Sequence, residues 1–270
     1  MIARAVLSIF VLILLVAMPA AARGLPDGLE PGAEALVASV VDDDTVVLEA
    51  PIDGSSQVRL VGLQAPKLPL GRKNFSVWPL APQSKRALED ITFGQPVRLF
   101  FGGAKKDRHG RQLAHLRTAG GLWVQGEMLR RGMARVYSFS DNRAVVGDML
   151  ALEREARDAK RGIWRLGFYA VRDAADVPAM ARLFGTFQII RGRVLYTKRI
   201  KSQVYLNFGE NWRDDFTITL KTQARRMFAK AGTDPLSLLG KTVRVRGWLK
   251  KYNGPLIEAS HPEQIEVIAP

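Results

Sequence analysis

The chain has 270 residues, of which 47% are hydrophobic and 24% are charged, and this composition excludes wholesale disorder, collagen and coiled-coil architectures. It contains no cysteine, which excludes disulfide bridges, thiolate zinc sites, iron–sulfur clusters and a cysteine nucleophile. Its 40 basic residues outnumber its 26 acidic ones, and the formal charge of +14 favours polyanionic partners, nucleic acid first and an anionic membrane surface or cell-wall polymer second.

The amino terminus has the pattern of a secretory signal peptide. Residues 5–18 are almost wholly apolar, follow a single early arginine and precede the small residues at 20–22. This pattern predicts a signal peptide over residues 1–22, an exported protein that is periplasmic or secreted, and no stable membrane span after cleavage. The alternative is an uncleaved anchor, although this apolar run is shorter than the roughly twenty residues that a membrane-spanning helix needs.

Residues 35–165 alternate β-rich runs, turn residues and helical periods, which predicts a first domain. The pattern predicts strands at 35–41, 45–50, 57–63, 97–101, 112–116 and 134–139. It predicts helices from Pro82 to about Gly94, at 124–131 and over 145–156. This domain holds 21 basic and 14 acidic residues.

A second β-rich pattern follows at residues 185–270, after a segment at 166–184 that lacks a strong period and is interpreted as a linker. Strands are predicted at 186–196, 203–208, 215–221, 242–249, 256–259 and 265–268, with a helix at 223–231. This order suits a small five-stranded barrel of the OB type. The domain holds 15 basic and 7 acidic residues, so both domains carry the positive charge.

Three charged positions in the first domain could carry chemistry, although none is specific alone. The run 42–44 is three aspartates in a predicted turn, where carboxylates could bind a hard cation, but aspartate is common in turns for backbone reasons. Arg59 is a charge within an apolar strand, which is also typical of a structural ion pair. Arg111 follows a tight turn, where an arginine is commonly just solvated.

Five spaced motifs give these positions more weight together than singly. They are VVDDDTV at 40–46, VRLVGLQAPK at 58–67, DRHGRQLAH at 107–115, GMARVYSF at 132–139 and RGIW at 161–164. In this order they resemble the staphylococcal nuclease (thermonuclease) family over about residues 35–165. The resemblance implies an OB-like barrel with packed helices, so we expect a mainly β protein with helices (α+β), in which that barrel precedes a second small OB-like barrel.

The resemblance also implies a reaction and its catalytic residues. Members of the family hydrolyse phosphodiester bonds of single-stranded DNA and RNA using calcium. The family's turn aspartate, a calcium ligand, matches Asp44. Its two arginines match Arg59 and Arg111, and they clamp the phosphate and stabilise the charge that builds in the transition state.

Two positions depart from the family's pattern. The second aspartate ligand falls at Gln64, and the glutamate that acts on the attacking water falls at Lys67. A cation about 5 Å from a divalent ion opposes its binding by roughly 7 kcal/mol at an effective dielectric near 20. We therefore expect calcium to bind poorly or not at all, unless Asp43, where the family has glycine, rebuilds a shifted ligand set.

The remaining predicted site residues would bind substrate. Lys67, with Arg59 and Arg111, is predicted to converge on a phosphate pocket, since arginine and lysine bind phosphate without a metal. Arg108 is predicted to lie around this pocket, and His109 replaces one of the tyrosines that the family places against the nucleotide. Tyr137 falls near where the family places tyrosines against the nucleotide, and packing in the barrel core is the alternative.

The second domain resembles bacterial OB-fold nucleic-acid-binding modules, through its general pattern. Its aromatic residues are interleaved with lysines and arginines, the mixture with which a single-strand groove stacks bases and tracks the backbone. These aromatic residues are Tyr196, Tyr205, Trp212 and Tyr252. The alternative is a charged barrel surface with ordinary core aromatics.

Three functions remain open at this point. The favoured hypothesis is an exported protein that binds single-stranded DNA or RNA at a thermonuclease-type site whose calcium-dependent hydrolysis is impaired or lost. The second is an active metal-dependent endonuclease that uses Asp44 with a neighbouring aspartate. The third is a non-enzymatic binder of an anionic envelope polymer or of a protein.

Overall fold

The computed structural model describes residues 24–269, so the predicted signal peptide lies outside the described residues. The strands of this part of the chain are β1 Glu30–Asp42, β2 Thr45–Ile52, β3 Ser55–Leu60, β4 Leu63–Gln64, β5 Pro96–Phe101, β6 Gln112–Thr118, β7 Arg135–Val136, β8 Arg172–Asp173, β9 Phe187–Arg193, β10 Tyr196–Ile200, β11 Gln203–Asn207, β12 Thr217–Leu220, β13 Thr242–Tyr252, β14 Gly254–Ala259 and β15 Ile265–Ala269. The α-helices are α1 Ala81–Thr92, α2 Val124–Arg130, α3 Val146–Asp158, α4 Val177–Met180 and α5 Thr222–Lys230. Short 3₁₀ turns occupy Gly162–Arg165, Gly167–Tyr169, Ala181–Leu183, Pro235–Leu238 and Pro262–Gln264. Every helix in this range is too short or too polar to cross a bilayer.

The first domain is a closed barrel with the strand order β1-β2-β3-β6-β5. The long strand β1 closes it, because its first half pairs with β5 and its second half pairs with β2. Strands β3 and β6 run parallel, and the other pairs are antiparallel. Alternate side chains of these strands point inward, where they form one core with the apolar faces of α1, α2 and α3.

The second domain repeats this strand order in a curled sheet. Its order is β10-β11-β12-β14-β13-β9, and β12 and β14 are its parallel central pair. Because β9 and β10 are successive segments of the chain at the two ends of that order, the sheet curls into an OB-like unit. The short strand β8 pairs with β9, so the segment before this domain contributes to its sheet. The predicted mainly β fold, with an OB-like barrel followed by a second OB-like unit, is confirmed.

A buried ion pair joins the two domains. Arg246 on β13 and Glu153 on α3 are 1% and 0% exposed, and both terminal nitrogens of Arg246 lie 2.9 Å from the oxygens of Glu153. Arg157 and Glu266 extend the pair into a network, at 2.9 Å from Glu153 and 2.7 Å from Arg246 respectively. Burial alone would raise the pKa of Glu153, but the guanidinium of Arg246 holds it below its ordinary value. Since neither charge meets water, each depends on the other.

Two polar contacts reinforce this docking close to the carboxyl end of β7. Ser138 Oγ lies 2.7 Å from His261 Nε2, and Arg143 forms a double hydrogen bond with Glu263 at 2.8 and 2.9 Å. The second domain therefore fixes the segment that follows β7, which also lines a cleft of the first domain.

Candidate functional site

The turn between β1 and β2 presents a buried carboxylate at Asp44. The backbone N–H of Asp44 donates to Asp42 Oδ1 at 3.2 Å, and β2 begins at Thr45. Asp44 is fully buried, and its carboxylate pairs with Arg59 and with Lys67, whose Nζ lies 2.5 Å from Oδ2. The predicted metal ligand is therefore held between a guanidinium and an ammonium.

Lys67 occupies the position where the family resemblance requires an acid, and its ammonium is turned inward. Burial, followed by the nearby Arg59, lowers the pKa of Lys67 to about 8, so most of the ammonium stays protonated at neutral pH. An ammonium paired with Asp44 provides the positive charge that a bound cation would otherwise bring to that carboxylate. The sequence-based prediction placed Lys67 at a phosphate, and the structure places its Nζ on a carboxylate.

Gln64, at the position of the family's second aspartate ligand, is engaged by another cation. Strands β4 and β7 pair Gln64 with Arg135, and Gln64 Oε1 accepts a hydrogen bond from Arg135 Nε at 2.7 Å. Arg135 also donates to the carbonyl oxygen of Phe187 at 2.9 Å, which ties this part of the site to the second domain. Burial lowers the pKa of Arg135 to about 10, and it remains charged.

Asp43 is the unusual group of this turn. Its side chain is fully buried, and both carboxylate oxygens lack a hydrogen-bond partner among residues 24–269. Burial raises its pKa to about 7, against the opposing attraction of Lys67, so the carboxyl is partly protonated at neutral pH.

The side chains at the family's ligand positions, Asp44, Gln64 and Lys67, do not fit a calcium ion. Both oxygens of Asp44 are taken by cations, the oxygen of Gln64 accepts from Arg135, and Lys67 can donate but not ligate while protonated. In the described part of the chain, no cluster of three or more histidine, cysteine or acidic side chains is arranged to hold a metal. Calcium prefers six to eight oxygen ligands, which these residues do not offer.

A cleft of about 510 Å³ opens beside this turn and contains both predicted catalytic arginines. Burial, and to a lesser extent the nearby positive charge of Arg111, lower the pKa of Arg59, and the Arg59 side chain donates to the carbonyl oxygen of Leu63 at 3.2 Å. Other charged or polar side chains lining the cleft are Lys106, Asp107, Arg108, His109, Asp141 and Asn142. Four cations thus face two carboxylates, a balance that suits an anionic ligand.

Asp107 positions Arg111 at the rim of this cleft. Its Oδ2 accepts from Arg111 Nε at 2.8 Å, and its Oδ1 accepts from the backbone N–H groups of His109 and Arg111 at 2.8 and 3.0 Å. Partial burial raises the pKa of Asp107, but these hydrogen bonds hold it below its ordinary value. The turn at 107–110, which the sequence predicted, thus holds the guanidinium of Arg111 in place.

Tyr137 lies at the other side of the cleft and is half-buried, so it is not a core residue of the barrel. Its ring meets the exposed Phe139 edge-on at 4.7 Å and Phe187 of the second domain at 5.0 Å. Its hydroxyl accepts a hydrogen bond from Trp248 Nε1 at 3.0 Å. The second domain therefore reaches the mouth of the cleft.

The cleft brings together most of the predicted site residues. Those that line it are Arg59, Arg108, His109, Arg111 and Tyr137. Asp44 and Lys67 join it through the ion pair of Asp44 with Arg59. The sequence analysis did not identify Asp107 as the partner of Arg111, although an acidic residue four positions before an arginine is a signal of an ion pair. Nothing in the sequence pointed to Trp248.

The chain is similar in sequence to several known nucleases. Residues 57–166 match the family model described as staphylococcal nuclease homologue. Endonuclease YhcR of Bacillus subtilis is 29% identical over 145 residues, which are 52% of this chain and 12% of that protein. The thermonuclease of Staphylococcus hyicus is 27% identical over 134 residues, which are 47% of this chain and 73% of that protein. An uncharacterised endonuclease of Escherichia coli O157:H7 is 29% identical over 47% of this chain and 74% of its own length.

These similarities cover about half of this chain, and the chain spans about an eighth of YhcR. The matched region begins in β3 and ends just after α3, so it contains Arg59, Lys67, Arg111 and Tyr137 but not the turn at Asp44. Together with the barrel and its cleft, the match identifies residues 57–166 as a staphylococcal nuclease-like region.

Proposed function

We propose that this protein binds single-stranded DNA or RNA in the arginine-lined cleft, and that its calcium-dependent hydrolysis is impaired or lost. The observation that carries the proposal is the Asp44 carboxylate, which is clamped by Arg59 and Lys67 within a cleft that keeps both arginines. Arginines bind phosphate through paired hydrogen bonds and need no metal to do so.

Within the cleft, each side chain would have a distinct task. Arg111, braced by Asp107, and Arg59, braced by Asp44, present guanidinium groups to a phosphate, and Tyr137 and Phe139 offer ring faces to a base. Because the ammonium of Lys67 also neutralises Asp44, the positive charge of Arg59 is not fully neutralised and can attract a phosphate. A protonated lysine cannot accept a proton from water, so the general base that the family resemblance requires is missing here.

The first experiment combines binding with cleavage. Purified full-length protein is mixed with a fluorescent single-stranded oligonucleotide in calcium or in EDTA, and binding anisotropy and product length are followed. We expect the same dissociation constant in both buffers, a strong dependence on salt and little product. Robust calcium-dependent product would reject the proposal.

A second experiment restores the family's acids. We expect Lys67→Glu with Gln64→Asp to bind calcium at least tenfold more tightly than the wild type in calorimetric titrations, because an opposing ammonium and a neutral amide are replaced by two carboxylates. The matched control is Lys73→Glu with Gln57→Asp, the same changes at two exposed positions outside the cleft. No gain in Lys67→Glu with Gln64→Asp, or an equal gain in both double variants, would contradict the assignment of Gln64 and Lys67 to the family's two acidic positions.

One observation favours the alternative of an active metal-dependent endonuclease. Asp43 keeps two buried carboxylate oxygens without a partner among the described residues, and a cation could satisfy them. Several relatives are also named as endonucleases. Calcium-dependent cleavage that is abolished by Asp43→Asn would favour this alternative.

We also propose that the protein is exported, on the strength of the leader pattern in residues 1–22. Sequencing of the mature amino terminus after expression tests this. Cleavage near residue 22 supports it, and an intact amino terminus in the soluble cell fraction contradicts it.

A further inference from the structure

The outward face of the second sheet carries a row of exposed side chains along β13. Trp248, Lys250 and Tyr252 alternate with the buried Leu249, and alternate residues of a strand point to the same face. Trp248 and Tyr252 are 45% and 69% exposed. At about 3.3 Å per residue, this row is about 13 Å long.

At one end the row meets the cleft of the first domain. Trp248 Nε1 donates to the hydroxyl of Tyr137, whose ring lines the cleft that holds Arg59 and Arg111. The aromatic surface therefore continues from one domain to the other.

At the other end the row enters a groove of about 540 Å³ on the second domain. Four aromatic side chains line it, and they are Tyr196, Tyr205, Trp212 and Tyr252. Tyr196 and Trp212 are each 55% exposed, so these rings do not pack in the hydrophobic core. The core lies on the opposite face of the same strands and is built from the aliphatic residues of β11, β12, β13 and β14.

The strand register sets the floor of this groove. Tyr196 pairs with Asn207, Asn207 with Thr217, Thr217 with Leu256, and Leu256 with Lys250. Directly paired residues share a face, so this line crosses five strands, from β10 at one rim to the β13 row. It combines an aromatic end, two polar groups, an apolar step and a lysine.

Positive charge follows the same path. Lys198 lines the groove, Lys250 lies on the β13 row, and the Arg213 guanidinium stands 4.5 Å from the ring centre of Trp212. The second domain carries a net charge of +8, from 15 basic and 7 acidic residues. Exposed aromatics interleaved with cations recognise unpaired bases joined by phosphates, because each ring can stack on a base while the cations follow the backbone.

We propose that a single strand held at the arginine cleft continues over Trp248 and Lys250 into the aromatic groove of the second domain, so that the two domains form one extended binding track. This inference rests on the proposed binding of nucleic acid in the cleft. It adds a second contact region, an order of contacts along the strand and a requirement for unpaired bases.

The experiment compares two oligonucleotide lengths on the full-length protein. Fluorescent dT4 is short enough to occupy the cleft alone, whereas dT16 can extend over an OB-type surface. We expect Trp212→Ala with Tyr252→Ala to weaken dT16 binding about tenfold or more and to leave dT4 binding unchanged. The matched control is Phe93→Ala, which removes an equally exposed aromatic from the end of α1, outside both the cleft and the groove.

An abasic 16-mer separates stacking from charge. We expect it to bind more weakly than dT16 and to be insensitive to the double substitution, since it offers phosphates but no rings. Equal binding of the abasic strand and dT16, or an unchanged dT16 affinity in the double variant, would overturn the track. If neither dT4 nor dT16 binds the wild type, the proposed function itself fails, so the two failures are distinguishable.

Discussion

At the scale of single residues, the number of cations paired with each carboxylate determines which positive charges of the site can bind a phosphate. Asp44 serves both Arg59 and Lys67, whereas Asp107 serves Arg111 alone. The sequence could predict which residue types occupy the family's positions, and it could predict that a lysine there disfavours calcium. It could not predict that this lysine pairs with Asp44, because that depends on the direction of a side chain across 23 residues of chain.

Arg111 is the side chain whose removal tests phosphate binding most directly. We expect Arg111→Ala to weaken single-strand binding about tenfold, because its charge-assisted hydrogen bond to the phosphate is lost. Asp107 is also left in the cleft as an anion without its arginine partner. The slope of log affinity against log salt should fall by about 0.7. Anisotropy titrations at several salt concentrations measure both.

The control for this prediction is Arg86→Ala, which removes an exposed arginine of α1 that does not line the cleft. Arg111→Lys should recover only part of the affinity, since lysine keeps the charge but loses the planar fork. Equal losses for Arg86→Ala and Arg111→Ala would show that general charge, rather than the cleft, binds the strand.

At the scale of elements, the patterns of apolar residues located the strands and helices of both barrels well. They failed where pairing, rather than hydrophobicity, decides. Strand β1 begins at Glu30, five residues before the prediction, because its exposed first half is held by β5. The predicted strand over 134–139 shrinks to Arg135–Val136, because its partner β4 is only two residues long and because the Ser138 side chain bonds to His261 of the second domain.

The contact between α3 and β13 predicts a large effect on stability. We expect Arg246→Met to lower the free energy of unfolding by about 3–5 kcal/mol, because Glu153 would remain buried without its main partner. Urea unfolding at neutral pH measures this. Arg246→Met with Glu153→Leu should recover part of the loss, since neither charge is then buried.

The control for that measurement is Arg98→Met, whose partner Glu34 is exposed and lies 3.9 Å away. An exposed pair contributes at most about 1 kcal/mol, so this variant should unfold almost like the wild type. Similar losses for both arginines would contradict the role given to the domain contact.

At the scale of the whole molecule, two buried histidines make stability depend on pH. Burial lowers the pKa of both His115 and His261 to about 4, whereas an unfolded histidine titrates near 6.5. The unfolded chain therefore binds more protons between these values. The stabilisation is complete above about pH 6.5 and is lost as the pH falls toward 4.

We expect this effect to cost about 2 kcal/mol per histidine between pH 7 and pH 5. Urea unfolding of the wild type, His115→Gln, His261→Gln and the double variant at both pH values measures it. Each single variant should lose part of the pH dependence, and the double variant should lose both parts. A pH dependence unchanged in the double variant would refute the assignment.

The Arg246–Glu153 pair has a consequence for length. Because it locks β13 against α3, the distance from the arginine cleft to the aromatic groove is set by the packing of the two domains and not by a flexible linker. In the proposed track, a nucleic-acid single strand that occupies both places therefore spans a fixed distance. The protected footprint on long single strands should have one sharp length, and loosening this pair should blur it.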